Sequence, residues 1–324
     1  MAEQRLSVAM CTYNGARFLA EQLGSIAAQT RRPDELVVCD DGSFDSTAEV
    51  IEAFKSTADF PVYWRVNQKK LGSTKNFARA IALCTGDIIA LSDQDDVWRP
   101  EKLMLIEEQF RRSPGAGLVF TDAEVTDESL RPLGYRLWQY NGFGRSEQKK
   151  INRGQAARVL LKRNVVTGAT MAFKAEFRPL FMPIPGNWVH DGWIALIIAA
   201  CADLAVVNWP LIQYRQHFNQ QIGASKIGPV KQLALARRTS SINYGNQLSQ
   251  YRTARDRLRV KTGFGPDEQA MSELNLKIAH LKARCNMPEQ KLARLPAVLK
   301  ELITFRYHRY ASGWKSAAKD LFLS

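Results

Sequence analysis

The sequence predicts an α/β protein, with a mostly parallel sheet flanked by helices and a basic α-helical extension at its C-terminal end. Three observations carry this. Strand and helix signals alternate through residues 1–125 at the spacing of parallel-sheet proteins. Two apolar strands run straight into acidic loops, Asp40-Asp41 and Asp93-Gln94-Asp95-Asp96. The charge is also unevenly placed: residues 226–324 hold 19 Lys/Arg and 7 Asp/Glu, a net of +12 out of +13 for the chain.

The elements follow in order. "LSVAMC" at 6–11 reads as a buried strand broken by "TYNG". Helical periodicity from Phe18 to Gln29 stops before Pro33. "ELVVC" at 35–39 is a second strand, with "DDGS" as its turn. Ser46 and Glu49 have the spacing of a capping box, which starts a helix through Phe54. "VYWRV" is a third strand, "STKNFARAIAL" a helix and "DIIALS" a fourth strand. Pro100 suits the first turn of a helix through Arg111, and "GLVFTD" is a fifth strand. Residues 124–150 lose regularity and read as a long loop. A helix near 153–162, "VVTGATMAF", a proline-rich loop, an apolar helix from His190-Asp191, and the strands "LAVVN" and "LIQYRQH" complete a domain spanning 1–225. Residues 226–324, with clusters such as "ARRTSS" and "YRTARDRLRVK", form the extension.

Composition narrows the class. At 324 residues, 45% apolar and 24% charged, the chain has ample material for a core. Its longest apolar run, 192–207, contains Asp203 and falls short of a spanning helix. Its first residues lack the pattern of a signal peptide. Both point to a cytoplasmic protein. Five scattered cysteines read as reduced, mostly core residues. No P-loop or Gly-rich dinucleotide fingerprint is present, and the four histidines have no zinc-site spacing.

Ligands of open α/β sheets bind beyond the carboxyl ends of the strands, so both acidic loops belong on one rim. Crowded carboxylates there favour a hard cation, Mn²⁺ or Mg²⁺, shared with a phosphate-bearing ligand. Alternate residues of extended chain point to opposite sides. At a turn, Asp93 and Asp95 can therefore divide between a ribose hydroxyl and the metal.

Four motifs carry a resemblance. "VAMCTYNGARFLAEQLGSIAAQTRRPDELVVCDDGSFDST" and "NQKKLGSTKNFARAIALCTGDIIALSDQDDVWRPEKL" resemble the family 2 glycosyltransferases, inverting metal-dependent enzymes with a GT-A fold. "VVTGATMAF" and "VHDGW" through "YRQH" are similar to the bacterial rhamnosyltransferase-like branch. The resemblance implies that Thr12, Tyr13 and Asn14 line the nucleotide pocket. Asp40 would accept from the pyrimidine imide, with Asp41 supporting the loop. Asn67, Gly72 and Lys75 would approach the nucleotide, although this sequence has two extra residues between the asparagine and the glycine. Asp93 would bind ribose or metal, Asp95 would be the principal metal ligand, and Asp191 the catalytic base. His217 is either a further metal ligand or a surface histidine beside Arg215, and Arg215 is placed to pair with the diphosphate. Asp191 can equally be a helix N-cap, and Asp96 reads as a cap for the helix after it. Trp138, Tyr140 and Trp188 either stack on sugars or fill satellite core.

The implied donor is a dTDP- or UDP-linked sugar, and the acceptor a hydroxyl of a glycan or polyprenyl-linked saccharide. A polyprenyl-phosphate sugar synthase of the same fold is the alternative within the family. The basic extension fits an anionic membrane surface at the inner face of the plasma membrane, or a homo-oligomer or catalytic-domain contact. A nucleic-acid-binding protein is the competing class, but the extension lacks a recognisable binding module.

Overall fold

The computed structural model describes residues 4–218 and 241–322. The 225/226 boundary and most of the "ARRTSS" cluster lie outside those residues. The strands are β1 (Leu6–Thr12), β2 (Glu35–Asp40), β3 (Val62–Val66), β4 (Ile88–Ser92), β5 (Val97–Trp98), β6 (Ala116–Thr126), β7 (Pro132–Arg136), β8 (Met171–Lys174) and β9 (Asp203–Arg215). They form one sheet in the order β3-β2-β1-β4-β8-β6-β9-β5, with β7 paired to β6. The β3-β2-β1-β4 half is parallel, as the sequence predicts. The other half is mixed: β8 runs antiparallel to both β4 and β6, while β6 and β9 are parallel.

Side chains alternate across this sheet, which sorts the core into two layers. Leu6, Val8 and Met10 join Leu19 and Ile26 of α1 (Ala16–Ala27), Ile51 of α2 (Thr47–Thr57) and Leu103 and Ile106 of α4 (Lys102–Arg112) on one face. Ala9, Val37 and Cys39 join Phe77 and Ile81 of α3 (Ser73–Leu83) on the other, with α7 (Ala156–Lys162) and α9 (His190–Ala199). Strands buried on both faces read as continuous apolar runs, which is why they are legible in the sequence.

Some boundaries differ from expectation. Ser46 occupies the N-cap position of α2 without a side-chain cap bond. Asp45 does the capping instead: its carboxylate accepts from Thr47 N at 3.1 Å and from Ala16 N at 3.1 Å, joining the starts of two helices. The stretch 124–150 is structured, holding the end of β6, β7, α5 (Leu137–Tyr140) and α6 (Arg145–Ile151). These pieces are too short to show periodicity, and α5 and its neighbours are anchored by Trp138 and Phe143 against Phe120. "LAVVN" and "LIQYRQH" belong to one strand, β9, whose pairing with β6 shifts register around Asp122.

The extension docks on the α3/α7/α9 face. Its helices α10 (Ser241–Leu258) and α11 (Glu268–Cys285) contribute Leu248, Ala254, Leu274, Ile278 and Leu281 to the same apolar cluster as the sheet. Asp267 N donates to Ala200 O at 2.7 Å, and Arg257 donates to Leu180 O at 2.7 Å. Helices α8 (Arg178–Phe181), α12 (Leu295–Ile303), α13 (Arg306–Tyr310) and α14 (Trp314–Phe322) complete the described chain.

Candidate active site

The parallel strands β1, β2 and β4 deliver their carboxyl ends to one rim. At the end of β1, Thr12 Oγ1 donates to Asp40 Oδ2 at 2.7 Å. Tyr13 is gripped by a residue overlooked in the sequence, Gln94. Its side-chain amide accepts from Tyr13 N at 2.8 Å and donates to Tyr13 O at 3.0 Å. A Cβ on Gly15 would lie 2.3 Å from Gln94 Oε1, so only glycine leaves room for the clamp. Asn14 takes a left-handed conformation (φ +48°) and its side chain accepts from Phe44 N at 3.0 Å. A neutral amide can satisfy both backbone atoms of one residue, but nothing local in the sequence ties Gln94 to Tyr13, 81 residues away.

At the end of β2, the two aspartates are turned inward. Asp40 accepts from Thr12, from Ser43 Oγ at 2.5 Å, and from the backbone N–H groups of Gly42 at 3.1 Å and Ser43 at 2.8 Å. A carboxylate offers about four acceptor positions, and those of Asp40 are all engaged in the loop. Asp41 accepts from Asn67 Nδ2, Leu71 N and Gly72 N at 2.7–2.8 Å, which leaves its Oδ2 with one donor. Asn67 is buried and also bonds Asn76 and Arg79. Gly72 has φ +80°, a conformation that suits glycine. Lys75 is exposed on the first turn of α3.

The acidic loop after β4 diverges. Asp95 Oδ2 lies 2.7 Å from His217 Nε2. Asp96 is fully buried; its Oδ1 accepts from Arg215 N at 3.2 Å, and its Oδ2 has no hydrogen-bond partner. It is not the helix cap the sequence suggests, since α4 begins later, with Glu101 at its N-cap. Arg215 is likewise committed to the protein. Its guanidinium donates to Asp95 O at 2.8 Å, to Glu128 O and to Glu21, and stacks on Phe18. That fork fixes the loop to β9 and is not aimed at a diphosphate.

The antiparallel strand β8 brings the last component. Because Ile88 pairs with Lys174 and Ala90 with Ala172, the start of β8 lies beside the end of β4. Gly168, just before β8, therefore reaches the rim, and its N–H donates to Asp191 Oδ2 at 3.2 Å. Asp191 Oδ1 accepts from Gly192 N at 2.5 Å and Asn164 Nδ2 at 3.3 Å. Asp191 lies in the first turn of α9, one residue inside His190 and two beyond the N-cap, Val189. It is therefore not the N-cap itself. His190 stacks on Phe77 with ring centroids 4.2 Å apart, and neither ring nitrogen has a hydrogen-bond partner.

Electrostatics follow from crowding in a partly dry site. Burial, with the neighbouring Asp95 and Asp191 carboxylates adding to it, pushes the Asp93 carboxyl up to about 7. Burial raises Asp96 too, with Asp95 and Asp93 adding to the effect. Burial also raises Asp191 to about 6, against the downward pull of its three hydrogen bonds. Burial depresses His190 to about 3, so it packs as a neutral ring. Lys102, fully buried, donates to Ala169 O at 2.8 Å and is the cation facing Asp93 and Asp96; burial holds it well below the usual lysine range.

Among the described residues, no three His, Cys, Asp or Glu side chains form a ready metal-binding group. Asp93, Asp95 and His217 are thus not assembled as one ligand set: Asp95 and His217 meet each other, while the charged neighbours of Asp93 are Asp95, Asp191 and Lys102. The carboxylate and imidazole of Asp95 and His217 still suit Mn²⁺, and the mutual repulsion of the rim carboxylates is what a cation relieves. Of the sugar-stacking candidates, Trp138 is buried core and Trp188 packs on Trp193 and Tyr251, donating to Gln250 O at 3.1 Å. Tyr140 pairs with Tyr135.

A mixed sheet of this order with an acidic carboxyl rim defines a GT-A-type glycosyltransferase fold. The chain belongs to glycosyl transferase family 2, whose model matches residues 7–175. It is 36% identical over 221 residues to an uncharacterised glycosyltransferase of Nostoc sp., covering 66% of this chain and 65% of that protein. It is 28% identical over 230 residues to the dTDP-rhamnosyl transferase RfbG of Shigella flexneri, covering 67% and 74%. The chain spans less than two-thirds of the length of the curated relatives it matches first. The mannosyltransferase PcManGT of Pyrobaculum calidifontis, solved with GDP-Man and Mn²⁺, shares the fold at a TM-score of 0.54 and 17% identity, covering 98% of this chain and 78% of that one.

Proposed function

We propose that this protein is an inverting, divalent-cation-dependent glycosyltransferase. It moves one sugar from a nucleoside diphosphate donor to a hydroxyl of a glycan or polyprenyl-linked saccharide in cell-surface polysaccharide synthesis, at the cytoplasmic face of the membrane. The observation that carries this reading is that one rim holds both the acidic Asp93–Asp96 loop after β4 and Asp191, which the Gly168 N–H just before the adjoining β8 holds at 3.2 Å. dTDP-L-rhamnose is the favoured donor, supported by the "VVTGATMAF" and "VHDGW" segments and by the named activity of the Shigella relative.

Each residue then has a task. The Tyr13–Asn14 loop, fixed by Gln94, lines the nucleotide pocket. Asp41, which keeps acceptor capacity, receives the base N–H in place of the saturated Asp40. Asp93 meets the ribose or the cation, and Asp95 with His217 holds Mn²⁺ or Mg²⁺. When bound, the cation offsets the charge developing on the departing diphosphate. Asp191 takes the proton of the acceptor hydroxyl as oxygen attacks the anomeric carbon from the face opposite the diphosphate. With a pKa of about 6 it is ionised at pH 7 yet more basic than an ordinary aspartate, which suits a general base. Gly168, Gly192 and Asn164 hold its orientation.

Calorimetric titration of dTDP and UDP, with and without Mn²⁺, into wild type and Asp95→Ala tests the site. Metal-dependent binding that the substitution removes is expected, with dTDP preferred. No nucleotide binding under any metal condition would sink the assignment.

A further inference from the structure

The extension carries a surface that the donor site does not use. From 291 to 322 both acids, Glu301 and Asp320, are buried, held by His280 and Arg306 and by Arg284, Tyr244 and Tyr307. Lys291, Lys300, Arg309 and Lys315 are exposed. The fold thus buries both acids of this stretch, while of its bases only Arg294 is buried and these four face outward. Apolar side chains share this exterior. Leu295, Leu299 and Ile303 are exposed at successive i+4 positions of α12, and Trp314 and Phe322 eight residues apart on α14.

A cavity of about 350 Å³, which Trp314 reaches through its ring contact with His308, is lined by Lys150, Arg158 and Lys162 of the catalytic domain and by Phe305, His308 and Arg309 of the extension, with Glu147 as its acid. Glu147 is already paired with Arg163 at 2.6 Å. Arg158 and Arg309 share Glu273 at the long distances of 3.9 and 4.0 Å. Lys150 and Lys162 are exposed. Phe305 and Trp314, both more than half exposed, flank His308 with ring centroids 6.0 and 5.6 Å from it.

We propose that this face, the basic cavity together with the exposed Phe305, Trp314 and α12 side chains, docks on an anionic phospholipid bilayer. A bilayer interface offers both partners at once: phosphate headgroups for the cavity and acyl chains for Leu, Ile, Phe and Trp, the last a residue that favours such interfaces. Neither a soluble anion nor a nucleic acid accounts for the exposed apolar side chains. That a transferase working at the membrane uses this face rests on the transferase reading; vesicle binding itself does not.

The test is co-sedimentation of the full chain with vesicles of phosphatidylcholine alone or with one-third phosphatidylglycerol. Binding to the anionic vesicles alone, weakened by salt, is expected. Lys150→Gln with Lys162→Gln should weaken it about thirtyfold, roughly fivefold per lysine near an anionic surface. Phe305→Ser with Trp314→Ser should weaken it tenfold or more, and unchanged donor binding would show that these variants fold. Equal binding to both vesicle types, no binding at low salt, or a dimer that the Phe305/Trp314 variant dissociates while vesicle binding persists would each overturn the proposal. A chain that binds vesicles but no nucleotide would leave this surface standing and remove the transferase reading.

Discussion

Replacing Asp191 with Asn separates catalysis from stability in opposite directions. Burial lifts the Asp191 carboxyl from the ordinary 3.8 to about 6. The sign follows from linkage: a carboxyl that binds its proton more tightly when folded makes the fold most stable below pH 4, and that stability is lost as pH rises through 6. At about 1.4 kcal/mol per pH unit of displacement, the ionised group costs about 3 kcal/mol at pH 8. Asn removes that charge but turns an N–H₂ toward Gly168 N or Gly192 N, both donors. Leaving one such donor unpaired costs about 1–2 kcal/mol. The variant should therefore be about 1–2 kcal/mol more stable than wild type at pH 8 in urea unfolding, with the difference changing sign near pH 5 and the variant about 1–2 kcal/mol less stable at pH 4. Transfer, followed as nucleoside diphosphate release in the presence of acceptor, should fall about 10²–10⁴-fold, the usual worth of a general base, while donor affinity stays within a few-fold. A transfer rate near wild type would refute the base assignment. A loss of stability at pH 8 would refute the buried-carboxylate argument.

Other predictions rest on separate contacts. Gly15→Ala displaces the Gln94 amide from Tyr13 and should weaken nucleotide binding about tenfold in calorimetry, because two hydrogen bonds that shape the pocket are lost. Gly168→Ala places a Cβ 2.7 Å from His190 Nε2; shifting that ring moves Asp191, so kcat should drop about tenfold or more with donor affinity little changed. Asp320→Ala strands the buried Arg284 and also removes the acceptor of Tyr244 and Tyr307. It should destabilise the chain by about 3–5 kcal/mol in urea unfolding, as the loss of one partner of a buried pair does; a loss under 1 kcal/mol would mean the network contributes little.

The parallel half-sheet and its acidic rim are legible in the sequence because they are local. Strands such as "LSVAMC" and "DIIALS" are apolar on both faces and end abruptly in Asp40-Asp41 or Asp93 to Asp96, and a strand's carboxyl end is where such a sheet binds ligands. Neighbouring residues suffice for that inference. The partners of those residues do not follow from neighbours. Whether Arg215 faces a diphosphate or clamps Asp95 O, and whether Asp96 caps a helix or lies buried under β9, depends on which strand is laid beside which. Gln94 could not be singled out until β1 and β4 were adjacent, and Asp191 joined the rim because β8 runs antiparallel to β4. The short elements between residues 132 and 151 carry too few residues for periodicity and owe their shape to distant packing. The extension shows the same division: its excess positive charge is a property of the sequence, whereas burial of Glu301 and Asp320 inside and of no neighbouring Lys291 or Lys300 is a result of tertiary packing, which alone decides what charge faces outward.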